Sequence, residues 1–135
     1  MDITLKNLQS SIPVPSSKIK AAVSKASKSL KLSKSFSEIS IVFVGPARMQ
    51  SLNKKYLGHD YVTDVITFDL EGAAEIIICS AVAQKNAKAH EVSVVKELLL
   101  YAVHGLLHLA GYDDHSLQDI KKIRSKEKQL LEKLI

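Results

Sequence analysis

Residues 104–115 read His104-Gly-Leu-Leu-His108-Leu-Ala-Gly-Tyr-Asp113-Asp114-His115, which gathers three of the chain's five histidines and two aspartates into one short stretch. His104 and His108 are four apart, so on a helix they share a face about one turn apart. Gly111 is a natural helix stop, after which the chain can turn back with further metal-ligating side chains. Two imidazoles on one helical turn and a third donor after a glycine turn are the ingredients of an open, three-ligand zinc site.

The segment leading into this cluster strengthens the reading. From Val94 to Ala110 every residue is apolar except Lys96, Glu97, Tyr101, His104, Gly105 and His108. Glu97, Tyr101, His104 and His108 follow one another at spacings of four, three and four, so they form one polar stripe on an otherwise buried helix. A lone histidine on such a helix is ordinarily a satisfied core residue. A whole stripe of buried polar groups needs partners, because leaving them unpaired costs several kcal/mol, about 2–7 by transfer measurements. The spacing also suits a zinc peptidase helix, H-E-x-x-H, but Gly105 stands where that motif needs its glutamate base. Hydrolysis would then rest on a water acidified by the metal, a chemistry suited to phosphodiesters because the cation also neutralises phosphate charge.

The elements that must position this cluster can be read outward from it. Ile3–Leu8 reads as a strand, and Ser16–Leu32 as a helix with Ile19, Ala22, Val23, Ala26 and Leu30 on one face. Ser37–Val44 alternates as a strand up to Gly45-Pro46, and Pro46 opens a helix through Tyr56 that Gly58-His59-Asp60 closes. Thr63–Leu70 and Glu75–Cys79 read as neighbouring strands of a hairpin turning at Glu71-Gly72. Ala81–His90 and Val94–Ala110 are helical, and Ser116 caps a last helix through Leu134. This order predicts one α+β domain over residues 1–135, with a mixed sheet of about four strands and the histidine-bearing helix buried against it.

Composition narrows the function classes. At 135 residues, 46% hydrophobic and 24% charged, the chain suits one globular domain with a real core. Cys79 is the only cysteine, which excludes an internal disulfide and a multi-cysteine zinc knuckle and fits a reducing compartment. Lys6, Pro13 and Pro15 interrupt any apolar leader. No segment is long and charge-free enough to span a bilayer, so a cytoplasmic location without membrane contact is expected. The formal charge is +5. Residues 1–34 hold Lys6, Lys18, Lys20, Lys25, Lys28, Lys31 and Lys34 against Asp2 alone, and Lys121, Lys122, Arg124, Lys126 and Lys128 crowd the last helix. Two basic clusters beside a metal site point to a nucleic acid. With no Trp, three Phe and four Tyr, no aromatic platform for bases is expected, and contacts should fall mainly on phosphates.

The motif His104-Gly-x-Leu-His108-Leu-x-Gly111-Tyr112-Asp113 resembles the signature of the YbeY family of zinc-dependent endoribonucleases. Leu52-Asn53, Tyr56, Thr63-Asp64-Val65-Ile66-Thr67-Phe68 and Glu75-Ile76-Ile77-Ile78 are similar to that family's flanking motifs, so the likeness runs from about residue 39 to residue 133. The resemblance implies a single-strand-specific endoribonuclease of ribosomal RNA maturation and ribosome quality control, with ribosomal RNA, and ribosomal proteins among its partners, and one Zn2+ per chain. His104 and His108 would be ligands. The family's third histidine falls at Asp114 in an ungapped match, whereas a one-residue insertion would make it His115. Asp114 is preferred, and a set with a carboxylate would accept other divalent metals too. Asp64, Glu97 and Tyr101 are expected to position the ligands or support the fold, His90 to be an ordinary surface residue, and Lys54, Lys55 and His59 to meet RNA. Leu57 stands where the family commonly carries an arginine. The rival readings are a non-hydrolytic ribosome-assembly factor with a structural metal and, third, a metallopeptidase.

Overall fold

The computed structural model describes residues 1–134. The chain runs through β1 (Asp2–Asn7), α1 (Ser16–Ser29), β2 (Glu38–Val44), α2 (Pro46–Leu57), β3 (Val65–Asp69), β4 (Ala73–Cys79), α3 (Ser80–His90), α4 (Val94–Leu109) and α5 (Leu117–Leu134). The sheet order is β1-β2-β4-β3; β1, β2 and β4 are parallel and β3 runs antiparallel to β4, the mixed four-stranded α+β architecture expected.

Alternation along the central strands divides the core in two. Ile39, Ile41 and Phe43 of β2 and Ala74, Ile76 and Ile78 of β4 face a large cluster shared with α1, α4 and α5. Val42, Val44, Ile77 and Cys79 face the other way, where Met49 of α2 and Ile66 cover them. Helix α4 is the centrepiece, packed against α1, α3, α5 and the β3–β4 hairpin. Ser93 caps it, its hydroxyl accepting from the Lys96 amide at 3.1 Å.

Boundaries moved where side chains compete with the backbone. Helix α1 stops at Ser29, short of Leu32, because Lys31 turns left-handed (φ 56°) and a 3-10 turn at Leu32–Lys34 buries Leu32 instead. Strand β3 begins at Val65, two residues after Thr63, because Asp64 Oδ1 accepts the Val65 amide at 2.8 Å. The hairpin turns at Glu71 (φ 55°) and Gly72 (φ 91°), closed by Leu70 N donating to Ala73 O at 2.8 Å. Two successive positive φ angles make this a type I′ turn, which also starts β4 at Ala73. Among the described residues no single helix is long and apolar enough to cross a membrane.

Candidate metal centre and its cleft

His104 and His108 lie on the last two turns of α4, on the one face left open by the surrounding elements. Their Nε2 atoms are 2.9 Å apart, and their rings meet edge to face at 4.5 Å. Helix α4 ends in a Schellman turn: Gly111 (φ 100°) donates to His108 O and Tyr112 to Leu107 O, both at 3.0 Å. This reversal brings Asp114 Oδ2 to 3.8 Å from His108 Nε2. Donor atoms of His104, His108 and Asp114 all fall within 4.8 Å of one another. Ligands about 2.0–2.2 Å from a tetrahedral ion sit roughly 3.3 Å apart. The observed separations of 2.9 and 3.8 Å straddle that spacing, so one small divalent cation fits between these donors.

Asp113 braces both residues that follow it. Its Oδ1 accepts the Asp114 amide at 2.7 Å and its Oδ2 takes the His115 Nδ1–H at 3.0 Å. With its backbone clamped, Asp114 turns inward; the His115 ring, 84% exposed, stays on the rim. Asp113, Asp114 and His115 also converge as a second possible donor group, but on the exposed side of the turn. Asp114→Ala is therefore expected to weaken metal binding by more than about 100-fold, beyond what loss of an outer-sphere partner costs, while His115→Ala keeps full stoichiometry. Equilibrium dialysis with zinc reads both; retention in Asp114→Ala with loss in His115→Ala would reverse the assignment.

Every member of the α4 polar stripe finds a partner, though not those expected. Glu97 and Tyr101 hydrogen-bond to side chains other than His104 and His108. Buried Glu97 accepts from His90 Nδ1 at 2.9 Å, and its other oxygen has no partner. The Tyr101 hydroxyl accepts from Asn86 at 2.7 Å. Burial first, with the nearby charge of Glu97, pushes that hydroxyl well above the ordinary phenol value. His90, read as an ordinary surface residue, thus lines the inner cavity of about 360 Å3 with Glu97, Asn86 and Tyr101.

The group that orients His104 is Glu127 of α5. Its Oε2 accepts the His104 Nδ1–H at 2.7 Å. That leaves the Nε2 lone pair for the cleft. Burial alone would lower the His104 pKa, but the hydrogen bond and charge of Glu127, with Asp64 and Asp114 behind it, outweigh burial and raise it above the ordinary 6.5. The signal was present in the sequence: Glu127 is a lone carboxylate on the stripe formed by Ile123, Leu130 and Leu131, all buried. The chemistry of this donor set fits a divalent cation: two imidazoles, one backed by a carboxylate, and a free carboxylate facing solvent.

The cleft has two lobes meeting at Asp64, His104 and Asp114. Asp64 sits between them with its carboxylate turned to Thr63 and the Val65 amide, where it holds the start of β3. Arg124 of α5 lines the inner lobe; the sequence showed it only as one charge in a cluster. Leu57 and His59 line the outer lobe, of about 730 Å3. Lys54 and Lys55 stand beside it in solvent, Lys54 at 3.7 Å from Asp60 and Lys55 over the Tyr56 ring at 5.2 Å.

The fold and donor set define a small α+β domain built around a candidate divalent-cation centre that opens on a two-lobed cleft. The family model described as Endoribonuclease YbeY matches residues 4–135, and the chain belongs to that family. It is 42% identical over 113 residues to the Endoribonuclease YbeY of Elusimicrobium minutum, covering 75% of this chain and 79% of that one. It is 39% identical over 107 residues to that of Staphylococcus saprophyticus, covering 70% of each. The solution structure of a Thermotoga maritima protein superposes with a TM-score of 0.69 at 28% identity, over 99% of this chain and 89% of that one.

Proposed function

We propose that this chain is a metal-dependent endoribonuclease that cuts single-stranded RNA in ribosomal RNA maturation, in the cytoplasm, with zinc as its cation. The observation that carries the reading is the convergence of His104, His108 and Asp114 at the junction of an open cleft, in a chain whose relatives are named endoribonucleases. In this role His104 and His108 present their Nε2 atoms to the cation, and Asp114 supplies a carboxylate oxygen. A bound divalent cation would supply Lewis acidity, acidifying water and neutralising charge on a phosphodiester. Glu127 holds His104 in the tautomer that ligation needs. Arg124 on the inner lobe would offer a positive charge to the RNA backbone, and His59 on the outer lobe a further contact to the strand.

Three donors leave one position of a tetrahedral ion open, as hydrolysis requires and a purely structural centre does not. That supports the enzyme over a non-hydrolytic assembly factor, and family membership supports it over a peptidase. The experiment compares zinc-loaded wild type with His108→Ala on single-stranded RNA after identical purification. Wild type is expected to cut and the variant to lose at least about 100-fold in rate, the scale of losing a group that acts on the transition state. Equal cutting by the two preparations would sink the proposal.

A further inference from the structure

The surface beside the outer lobe carries a feature that neither the fold nor the metal centre uses. Of the exposed large hydrophobic side chains, Tyr56, Leu57, Tyr61 and Val62 all come from one stretch at the end of α2. Tyr61 and Tyr56 are 54% and 55% exposed. Such a cluster on a folded domain marks a binding surface.

Within it, the His59 and Tyr61 rings stack at 5.3 Å and lie within 11° of parallel, with the Tyr61 hydroxyl 3.1 Å from His59 Nδ1. The loop carrying them is fastened before any ligand arrives. Asn53, 1% exposed, donates its side-chain amide to Tyr61 O at 3.0 Å. Gln50 donates to Asp60 at 3.1 Å, and Gly58 (φ 72°) caps α2 through Lys54 O at 3.1 Å. An exposed aromatic stack on a braced loop loses little conformational freedom when a second flat ring is laid on it. His59 lines the same groove as His104, His108 and Asp114, so one ring of the stack belongs to the groove and Tyr61 extends it outward. Close by in sequence, Lys54 pairs with Asp60 of the same loop and Lys55 lies over the Tyr56 ring.

We propose that the His59–Tyr61 pair is a stacking platform for an unpaired nucleobase of the RNA strand whose backbone crosses the metal centre. This rests on the endoribonuclease reading and deepens it. Every base has a π-face, so the platform grips any sequence; a duplex has its bases already stacked and offers it none. Selection for single strands then arises on this surface rather than in the chemistry at the cation.

The test measures binding of a labelled single-stranded RNA of about eight nucleotides to the full chain carrying His108→Ala, with no metal added, which keeps the strand uncut. Tyr61→Ala in this background is expected to weaken single-strand binding about tenfold, Tyr61→Phe to restore it, and duplex binding to stay unchanged. Oligoadenylate should bind tighter than oligouridylate, because the larger ring stacks better. Binding by Tyr61→Ala equal to its parent would overturn the platform, as for a patch that docks a protein instead. Equal weakening by Tyr61→Phe would overturn it too, since the hydroxyl rather than the ring would matter. So would a parallel loss of duplex binding. Cleavage is scored separately: wild type that fails to outcut His108→Ala removes the endoribonuclease reading, whereas the Tyr61 comparison still decides the platform.

Discussion

Gly105→Ala is expected to destabilise the chain by up to about 2 kcal/mol and to weaken metal binding, although the substitution is made inside a helix. On propensity alone alanine would be the better residue, by about 1 kcal/mol. Packing decides against it. A Cβ at residue 105 would meet Ile76 Cδ1 and Cγ2 at 2.8 Å and Cγ1 at 3.0 Å. Ile76 is fully buried in β4, paired with Ile41 on one side and Thr67 on the other, so the strand has nowhere to retreat. Overpacking of this kind costs about 1–3 kcal/mol, which exceeds the propensity gain. Either the Ile76 side chain or helix α4 must then shift, and a shift of α4 moves His104 relative to Glu127 of α5. The motif's glycine is thus the contact that seats the metal helix, as well as the reason the peptidase chemistry is missing. Thermal melts of Gly105→Ala, Ile76→Ala and the double variant check this. The glycine substitution should cost less in the Ile76→Ala background; strict additivity would show that the contact does not matter.

Glu127→Gln should lower zinc affinity by about 10–100-fold at neutral to alkaline pH without unfolding the chain. The glutamine keeps the shape but removes the charge that fixes and enriches the His104 ring. The pH dependence carries the sign. Wild-type His104 holds its proton to higher pH than a free histidine, so protons compete with metal as pH falls through that raised value. The variant loses the raising influence of Glu127, its competition begins at lower pH, and the affinity gap narrows in acid. Stability of the metal-free chain runs the other way. A histidine whose folded pKa is raised contributes stability that is fully present below pH 6.5, its unfolded value, and is lost as pH rises through the folded pKa. Wild type should therefore exceed Glu127→Gln in stability most clearly in mild acid and least at alkaline pH. Zinc titrations and denaturant melts across pH read both trends, and a stability gap that grew with pH would contradict the His104–Glu127 pairing.

Much of the fold was legible because its signals are local. Apolar residues at helical spacing in α1, α4 and α5, alternation in β2, Pro46 after Gly45, Glu71-Gly72 between two β-branched runs, and Ser116 before α5 each act within a few residues. Ser116 indeed caps α5, its hydroxyl accepting the Asp119 amide at 3.0 Å. Errors fell where a side chain competed with the backbone, as Asp64 does at the start of β3, or where burial of Leu32 favoured a turn over more helix. Of the two roles open to Glu97 and Tyr101, positioning the ligands or supporting the fold, their hydrogen bonds favour the second, for a related reason. Spacing along α4 fixes that they share its face, but their partners Asn86 and His90 belong to α3.

By itself the sequence determined the histidine pair, the turn that follows it and the buried helix that carries them, because i, i+4 geometry and a left-handed glycine are properties of a few adjacent residues. Only the tertiary structure decided which side chains meet the histidines. Glu127 backs His104 from a helix that starts after the metal turn. Asp114 rather than His115 faces the histidines because Asp113 clamps the loop, and His59 and Tyr61 form a stack because Asn53 pins their loop to α2. Each of these depends on packing between elements, and periodicity along one chain carries no information about which faces of two elements meet.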